Sequence, residues 1–120
     1  MTSIVLVSHS EKIALGTKEL LEQMAPGVSV DAVGGHEGGI GTSFDTIFAT
    51  IEGLEDDAVC FFDIGSSEMN LDMALEMYAG SQRVEKVSAP IVEGSFIAAV
   101  SISTGKDFDA VINAVNAEFQ

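Results

Sequence analysis

Two apolar runs in this chain are too short for helices and too uninterrupted for strands with one wet face. Residues 4–7 (Ile-Val-Leu-Val) have no polar alternation, and residues 58–64 (Ala-Val-Cys-Phe-Phe-Asp-Ile) have a single aspartate near their end. Such runs fit strands covered on both sides, as in a parallel sheet. Between and after them the period changes. Ile13, Gly16, Leu20, Leu21 and Met24 recur at helical spacing ahead of Pro26-Gly27, so a helix is expected over residues 10–24. Residues 28–33 alternate like a strand. Phe44, Ile47, Phe48, Ile51 and Leu54 then form a second helical stripe, with Thr42 and Asp45 in capping-box spacing. After the run at 58–64 come Gly65-Ser66-Ser67 and a helix-forming stretch over residues 68–78.

Strand, loop and helix thus follow one another three times. Residues 84–87 suit a short fourth strand interrupted before Pro90, and residues 96–103 fit a helix or a buried strand. Phe108, Val111, Ile112, Val115 and Phe119 mark a last amphipathic helix, with Asp107 or Thr104 as its cap. The alternation implies an open, doubly wound, mainly parallel α/β sheet with helices on both faces. With 120 residues, one domain spanning residues 1–120 is expected, burying roughly 65% of the unfolded surface.

Charge narrows the partners. Five basic against 19 acidic residues give a net charge of −14, yet 47% of the chain is hydrophobic, so it is a folding composition and not a disordered acidic tail. Nucleic acid and anionic lipid surfaces are disfavoured. The longest apolar runs have five residues, against about 20 for a membrane-spanning helix. The amino terminus lacks the basic region and cleavage pattern of a signal peptide. Cys60 is the sole cysteine and lies within an apolar run, as a core residue would. A cytoplasmic location is expected.

In a doubly wound sheet ligands bind beyond the carboxyl ends of the strands, where three loops compete: residues 8–10, 38–43 and 63–67. His9 follows the first strand and faces free helix amides, which suits a neutral imidazole nucleophile whose phosphorylated form is anionic. His36 has the same chemistry but lies in a glycine run that is expected to be flexible, where a solvent-exposed loop histidine is the simpler reading. The glycine loop has no lysine after Gly41, as a P-loop needs, and no dinucleotide fingerprint. Its unhindered amides, with the hydroxyls of Thr42 and Ser43, would suit an anion, although a turn requiring positive φ also explains glycines. Asp63 stands where a receiver domain carries its phosphorylated aspartate, but the acidic pair expected after the first strand is replaced by Ser8-His9-Ser10. Asp63 would instead accept a hydrogen bond from His9 or cap the loop at Ser66 and Ser67. A hydrolase built on Ser67 lacks the nucleophile elbow.

Val7-Ser8-His9-Ser10, Gly38-Gly39-Ile40-Gly41-Thr42-Ser43, Asp63-Ile64-Gly65-Ser66-Ser67-Glu68-Met69-Asn70 and Ala89-Pro90-Ile91-Val92-Glu93-Gly94 together resemble the DhaM family. These are phosphotransferase subunits of the dihydroxyacetone kinases that depend on the phosphotransferase system (PTS), and their domain is similar to mannose-type IIA domains. The resemblance implies that His9 accepts a phosphoryl group from HPr, on Nε2, and passes it to ADP held by DhaL, whose ATP then serves DhaK. It implies that Asp63 orients His9, and that Ser10, Gly39, Gly41, Thr42, Ser43, Ser66 and Ser67 form the phosphate and partner site. It implies a homodimer and gives no catalytic role to His36. No metal and no tightly bound cofactor are expected beyond a transient phosphohistidine, with Mg-ADP arriving on the partner. No HPr or enzyme I domain is fused within these residues, so a separate HPr is expected as donor.

Two rivals remain at this level. A mannose-type IIA component of a sugar transporter would give its phosphate to a IIB histidine, and a non-enzymatic acidic regulator would only bind anions or a basic partner. No acidic residue occurs in residues 1–10, 38–44 or 64–67, so Asp63 is the lone acid of the expected site. Glu11, Glu19, Glu22 and the acids of residues 55–57 and 68–76 surround it and can steer a basic partner.

Overall fold

The computed structural model describes residues 1–119. Its elements run β1 (Ser3–Ser8), α1 (Glu11–Met24), β2 (Val30–Gly34), α2 (Phe44–Glu52), β3 (Ala58–Phe62), α3 (Gly65–Met77), β4 (Val84–Lys86), α4 (Ile91–Ser103) and α5 (Phe108–Phe119). All strand pairs are parallel, in the order β2-β1-β3-β4. β1 is flanked on both edges, Ile4 lying in register with Val30 on one side and Val59 on the other.

Alternate side chains of β1 and β3 enter two separate cores. Ile4, Leu6, Val59 and Phe61 pack with Leu21 of α1, Ala98 and Ile102 of α4, and Val111 and Val115 of α5. Val5, Val7, Ala58 and Cys60 pack with Ile47 and Ile51 of α2 and Leu71 and Ala74 of α3. Both faces being covered, every residue of β1 is buried, which is why its sequence shows no alternation. Cys60 is fully buried, and burial pushes its thiol up to about 12. It stays protonated in the core.

Some boundaries differ from the sequence reading, and others decide between its alternatives. α3 begins at Gly65, three residues ahead of the expected start. Residues 96–103 belong to one helix that starts just after Pro90, a position where proline's missing N–H costs no intrahelical hydrogen bond. The α2 cap is Ser43, whose hydroxyl accepts from the Thr46 amide at 3.3 Å, while the Thr42 hydroxyl accepts from Asn70 Nδ2 at 2.6 Å. At α5, Asp107 Oδ1 accepts from the Ala110 amide at 2.9 Å.

The chain leaves β1 toward β2 on one edge and later returns to β3 on the other, so a crevice opens where the carboxyl ends of β1 and β3 diverge. Gly34 sets the geometry of that rim. A Cβ at this position would stand 2.7 Å from the carbonyl oxygen of Ser10 and 3.1 Å from Cα of Glu11. These are backbone atoms that no rotamer change can move aside, so the start of α1 reaches the end of β2 only because no side chain intervenes. Gly34→Ala is expected to cost about 1–3 kcal/mol by overpacking, read as a lower urea midpoint at unchanged slope. An unchanged midpoint would mean that the α1 start shifts freely.

Candidate functional site

His9 lies in the turn from β1 to α1, and Asp63 follows the last residue of β3. Parallel pairing of the two strands, Val7 opposite Phe62, brings these residues together. His9 Nδ1 lies 3.0 Å from Asp63 Oδ1. The same carboxylate accepts from the Ser8 hydroxyl at 2.6 Å, the His9 amide at 3.0 Å, the Ile64 amide at 2.8 Å and the Ser67 hydroxyl at 2.9 Å. Burial alone pushes the Asp63 carboxyl up, but the hydrogen bonds from Ser8, His9 and the Ile64 and His9 amides outweigh it. The carboxyl is held well below the usual carboxylate range.

That environment sets the tautomer of His9. An ionised carboxylate only accepts, so Nδ1 carries the hydrogen of the neutral ring and Nε2 carries the lone pair. Nε2 faces the Ser66 hydroxyl in the first turn of α3. The helices that start near His9 do not all begin alike. α1 is capped by the hydroxyl of Ser10 and α2 by that of Ser43, whereas α3 starts after Ile64, which makes no side-chain cap bond. The positive end of α3 is thus left without a side-chain acceptor where Nε2 points, and an anion attached there gains both amide donors and the helix dipole.

The glycine loop has a different part from the one its composition promised. It is a tight hairpin turn in which His36 and Gly39 exchange backbone hydrogen bonds of 3.0 and 2.9 Å. Glu37 (φ 50°) and Gly38 (φ 80°) at its tip both take left-handed backbone, as such turns require. The Gly39 amide is committed within this turn, and the Gly41 amide donates to the His9 carbonyl at 2.8 Å. Neither is free to cradle an anion, and their effect is to hold the His9 peptide. The His36 side chain is half-exposed, with Glu37 at 4.0 Å, and takes no part in the His9–Asp63 cluster.

Other expected site residues also separate by role. Ser66 touches the histidine, while Ser67, one residue on and therefore turned about 100° around the helix, is fully buried and points at Asp63. Ser67 supports the carboxylate and does not line the open side of the site. Ser10 and Ser43 are helix caps, and Thr42 is tied to Asn70. The sequence reading gave no part to Ser8 or Asn70. Ser8 had a legible signal, since a fully buried serine at the end of an apolar strand needs a polar partner. Among the described residues no group of three or more His, Cys, Asp or Glu side chains is placed to hold a metal ion, and no helix is long and apolar enough to cross a membrane.

A family model described as the fructose IIA component of the PTS, EIIA-man, matches residues 3–112. The phosphotransferase subunit DhaM of the PTS-dependent dihydroxyacetone kinase of Lactococcus lactis is 42% identical over 110 residues, covering 90% of this chain and 88% of that one. The phosphoryl donor subunit DhaM of the PEP-dependent dihydroxyacetone kinase 1 of Listeria innocua is 40% identical over 101 residues, covering 82% of this chain and 80% of its own. A crystal structure of a protein of unknown function superposes with a TM-score of 0.88 at 28% identity, covering 97% of this chain and 93% of the other. The EIIA component of a Streptococcus agalactiae phosphotransferase system has the same fold, with a TM-score of 0.67 at 17% identity over 98% and 91% of the two chains.

The depressed Asp63 carboxyl makes stability depend on pH. Because its folded value lies below the unfolded one of about 3.9, its contribution is complete above that value and is lost as pH falls toward the folded value. The urea midpoints of wild type and Asp63→Asn should therefore differ most near neutrality and converge below about pH 4. A gap that stays constant across the acid limb would contradict the hydrogen-bonded carboxylate.

Proposed function

We propose that this chain, which belongs to the EIIA-man family of phosphotransferase-system components and within it to the DhaM phosphoryl donor subunits, carries a phosphoryl group on His9 for a dihydroxyacetone kinase. The observation that carries the proposal is the disposition of the His9 ring, with Nδ1 on Asp63 and Nε2 at the uncapped start of α3. Nε2 attacks the phosphorus of a phosphohistidine on HPr. The new P–N bond forms as the bond to the donor's ring nitrogen breaks, and the donor histidine leaves as a neutral ring. Asp63 balances the partial positive charge that develops on the His9 ring during attack.

In the second half-reaction a terminal phosphate oxygen of ADP, held with Mg²⁺ by DhaL, attacks the same phosphorus in line. ATP forms, and His9 regains its lone pair. No proton has to leave a weak acid in either step, so positioning and electrostatics supply the catalysis. The Ser66 hydroxyl, resting against Nε2, must turn aside to admit the phosphoryl group, after which it is placed to donate to one of its oxygens. The identities of 42% and 40% to DhaM subunits favour transfer to nucleotide over transfer to a IIB histidine.

The test is labelling from radioactive phosphoenolpyruvate with enzyme I and HPr. Acid-labile, base-stable label is expected on wild type and His36→Ala and is expected to vanish in His9→Ala. Addition of the DhaL–ADP complex should discharge the label into ATP. Label surviving in His9→Ala would refute the site, and label that DhaL–ADP cannot discharge would refute the acceptor.

A further inference from the structure

Five basic side chains stand against 19 acids in this chain, and one of the five is committed to the helix whose start faces Nε2. Lys86 is the last residue of β4 and lies in register with Cys60, three residues before Asp63. Its ammonium stands 5.7 Å from the centre of the Phe62 ring and contacts Glu68 at 2.6 Å and Asp72 at 2.9 Å. The Lys86 side chain is only 25% exposed. Its hydrogen bonds to Glu68 and Asp72 hold the ammonium above the ordinary lysine value, so it stays charged. Glu68 lies in the first turn of α3, and Asp72 lies one turn further on. Two and six residues beyond Ser66, they stand roughly 3 and 9 Å along the axis and about 200° and 240° around it. Both acids occupy the flank of α3 next to β4, away from Ser66.

We infer that Lys86 is a charge-balancing residue for the phosphohistidine: by offsetting Glu68 and Asp72 it leaves the positive start of α3 to a phosphoryl group on Nε2. The inference rests on the reading of His9 as the phosphoryl acceptor. α3 has no side-chain cap, so its first amides and its dipole are what an anion at Nε2 gains. A carboxylate in the first turn draws on the same dipole. Without its cation, Glu68 would both take up that field and repel a second anion at the same helix end. Among the described residues the ion pairs of Lys86 are with Glu68 and Asp72 alone, so its effect on His9 is carried by charge through space. Stability is a weak reason for the cluster, because ion pairs near a surface contribute little to it.

The experiment measures the equilibrium of phosphoryl exchange between radiolabelled phospho-HPr and this protein. That constant depends on the free energies of the two phosphohistidines and not on how the proteins dock. Lys86→Met should lower the constant for loading roughly fivefold at low ionic strength. Glu68→Gln breaks the shorter of the same contacts from the other side, yet it removes a negative charge and should raise the constant by a similar factor. Lys86→Met/Glu68→Gln, which removes one charge of each sign, and Lys86→Arg should both stay within about twofold of wild type. A fall in both single variants would mean that the contacts merely hold α3 in place, and would overturn the inference. So would a constant that stays unchanged in either of them. Failure of phospho-HPr to load wild-type His9 refutes the underlying reading instead.

Discussion

One carboxylate organises the end of this sheet. Asp63 accepts hydrogen bonds from the Ser8 and Ser67 hydroxyls, from the Ile64 and His9 amides and from the His9 ring. It therefore ties the end of β1 to the start of α3 through the end of β3. Charge-assisted bonds of this kind are roughly twice as strong as neutral ones, and they need the carboxylate ionised. The same contacts that keep the acid deprotonated decide which nitrogen of His9 is left with a lone pair. Remove the carboxylate, and neither the histidine tautomer nor the join between the two loops is specified.

The opposite side of the histidine is held by backbone. Gly41 donates to the His9 carbonyl while Asp63 accepts from the His9 amide, so the peptide is gripped from two loops at once. A ring held this way loses little conformational freedom on meeting a donor, which is the advantage of a preorganised nucleophile. The absence of acids from residues 38–44 and 64–67 belongs to the same design. On the proposed reading a phosphoryl group at Nε2 would meet hydroxyls first, and apart from Asp63, on the far side of the ring, would meet carboxylates only at the periphery, where they act at longer range on the partner.

Much of this was legible in the sequence, for identifiable reasons. The runs at residues 4–7 and 58–62 disclosed a sheet covered on both faces, and the stripes of α1, α2 and α5 disclosed helices with one buried side. His9 and Asp63 could be placed because each follows such a run. α4 was less legible because it lies between the sheet and α5 and so buries residues on several sides, including Gly94, Ser95, Ala98 and Ala99. With no single apolar stripe, its residues 96–103 fit a strand equally well. The start of α3 was hidden because Gly65-Ser66-Ser67 has the composition of a loop, whereas in the structure the Ser67 hydroxyl bonds back to Asp63 four residues earlier, within the first turn of the helix. Composition could not disclose that the Gly41 amide is taken by the His9 carbonyl, nor that Ser66 rather than Ser67 meets the histidine, because both depend on contacts between segments distant in the chain.

On the proposed reading Asp63 fixes the hydrogen of His9 on Nδ1 and so makes Nε2 the phosphorylated atom. The most direct measurement is a long-range ¹H–¹⁵N correlation spectrum of the ring, recorded on ¹⁵N-labelled protein before and after loading by phospho-HPr. The free protein should show the Nδ1–H tautomer, and the loaded one phosphorus coupled to Nε2. Phosphorus on Nδ1, or an Nε2–H tautomer in the free protein, would contradict it.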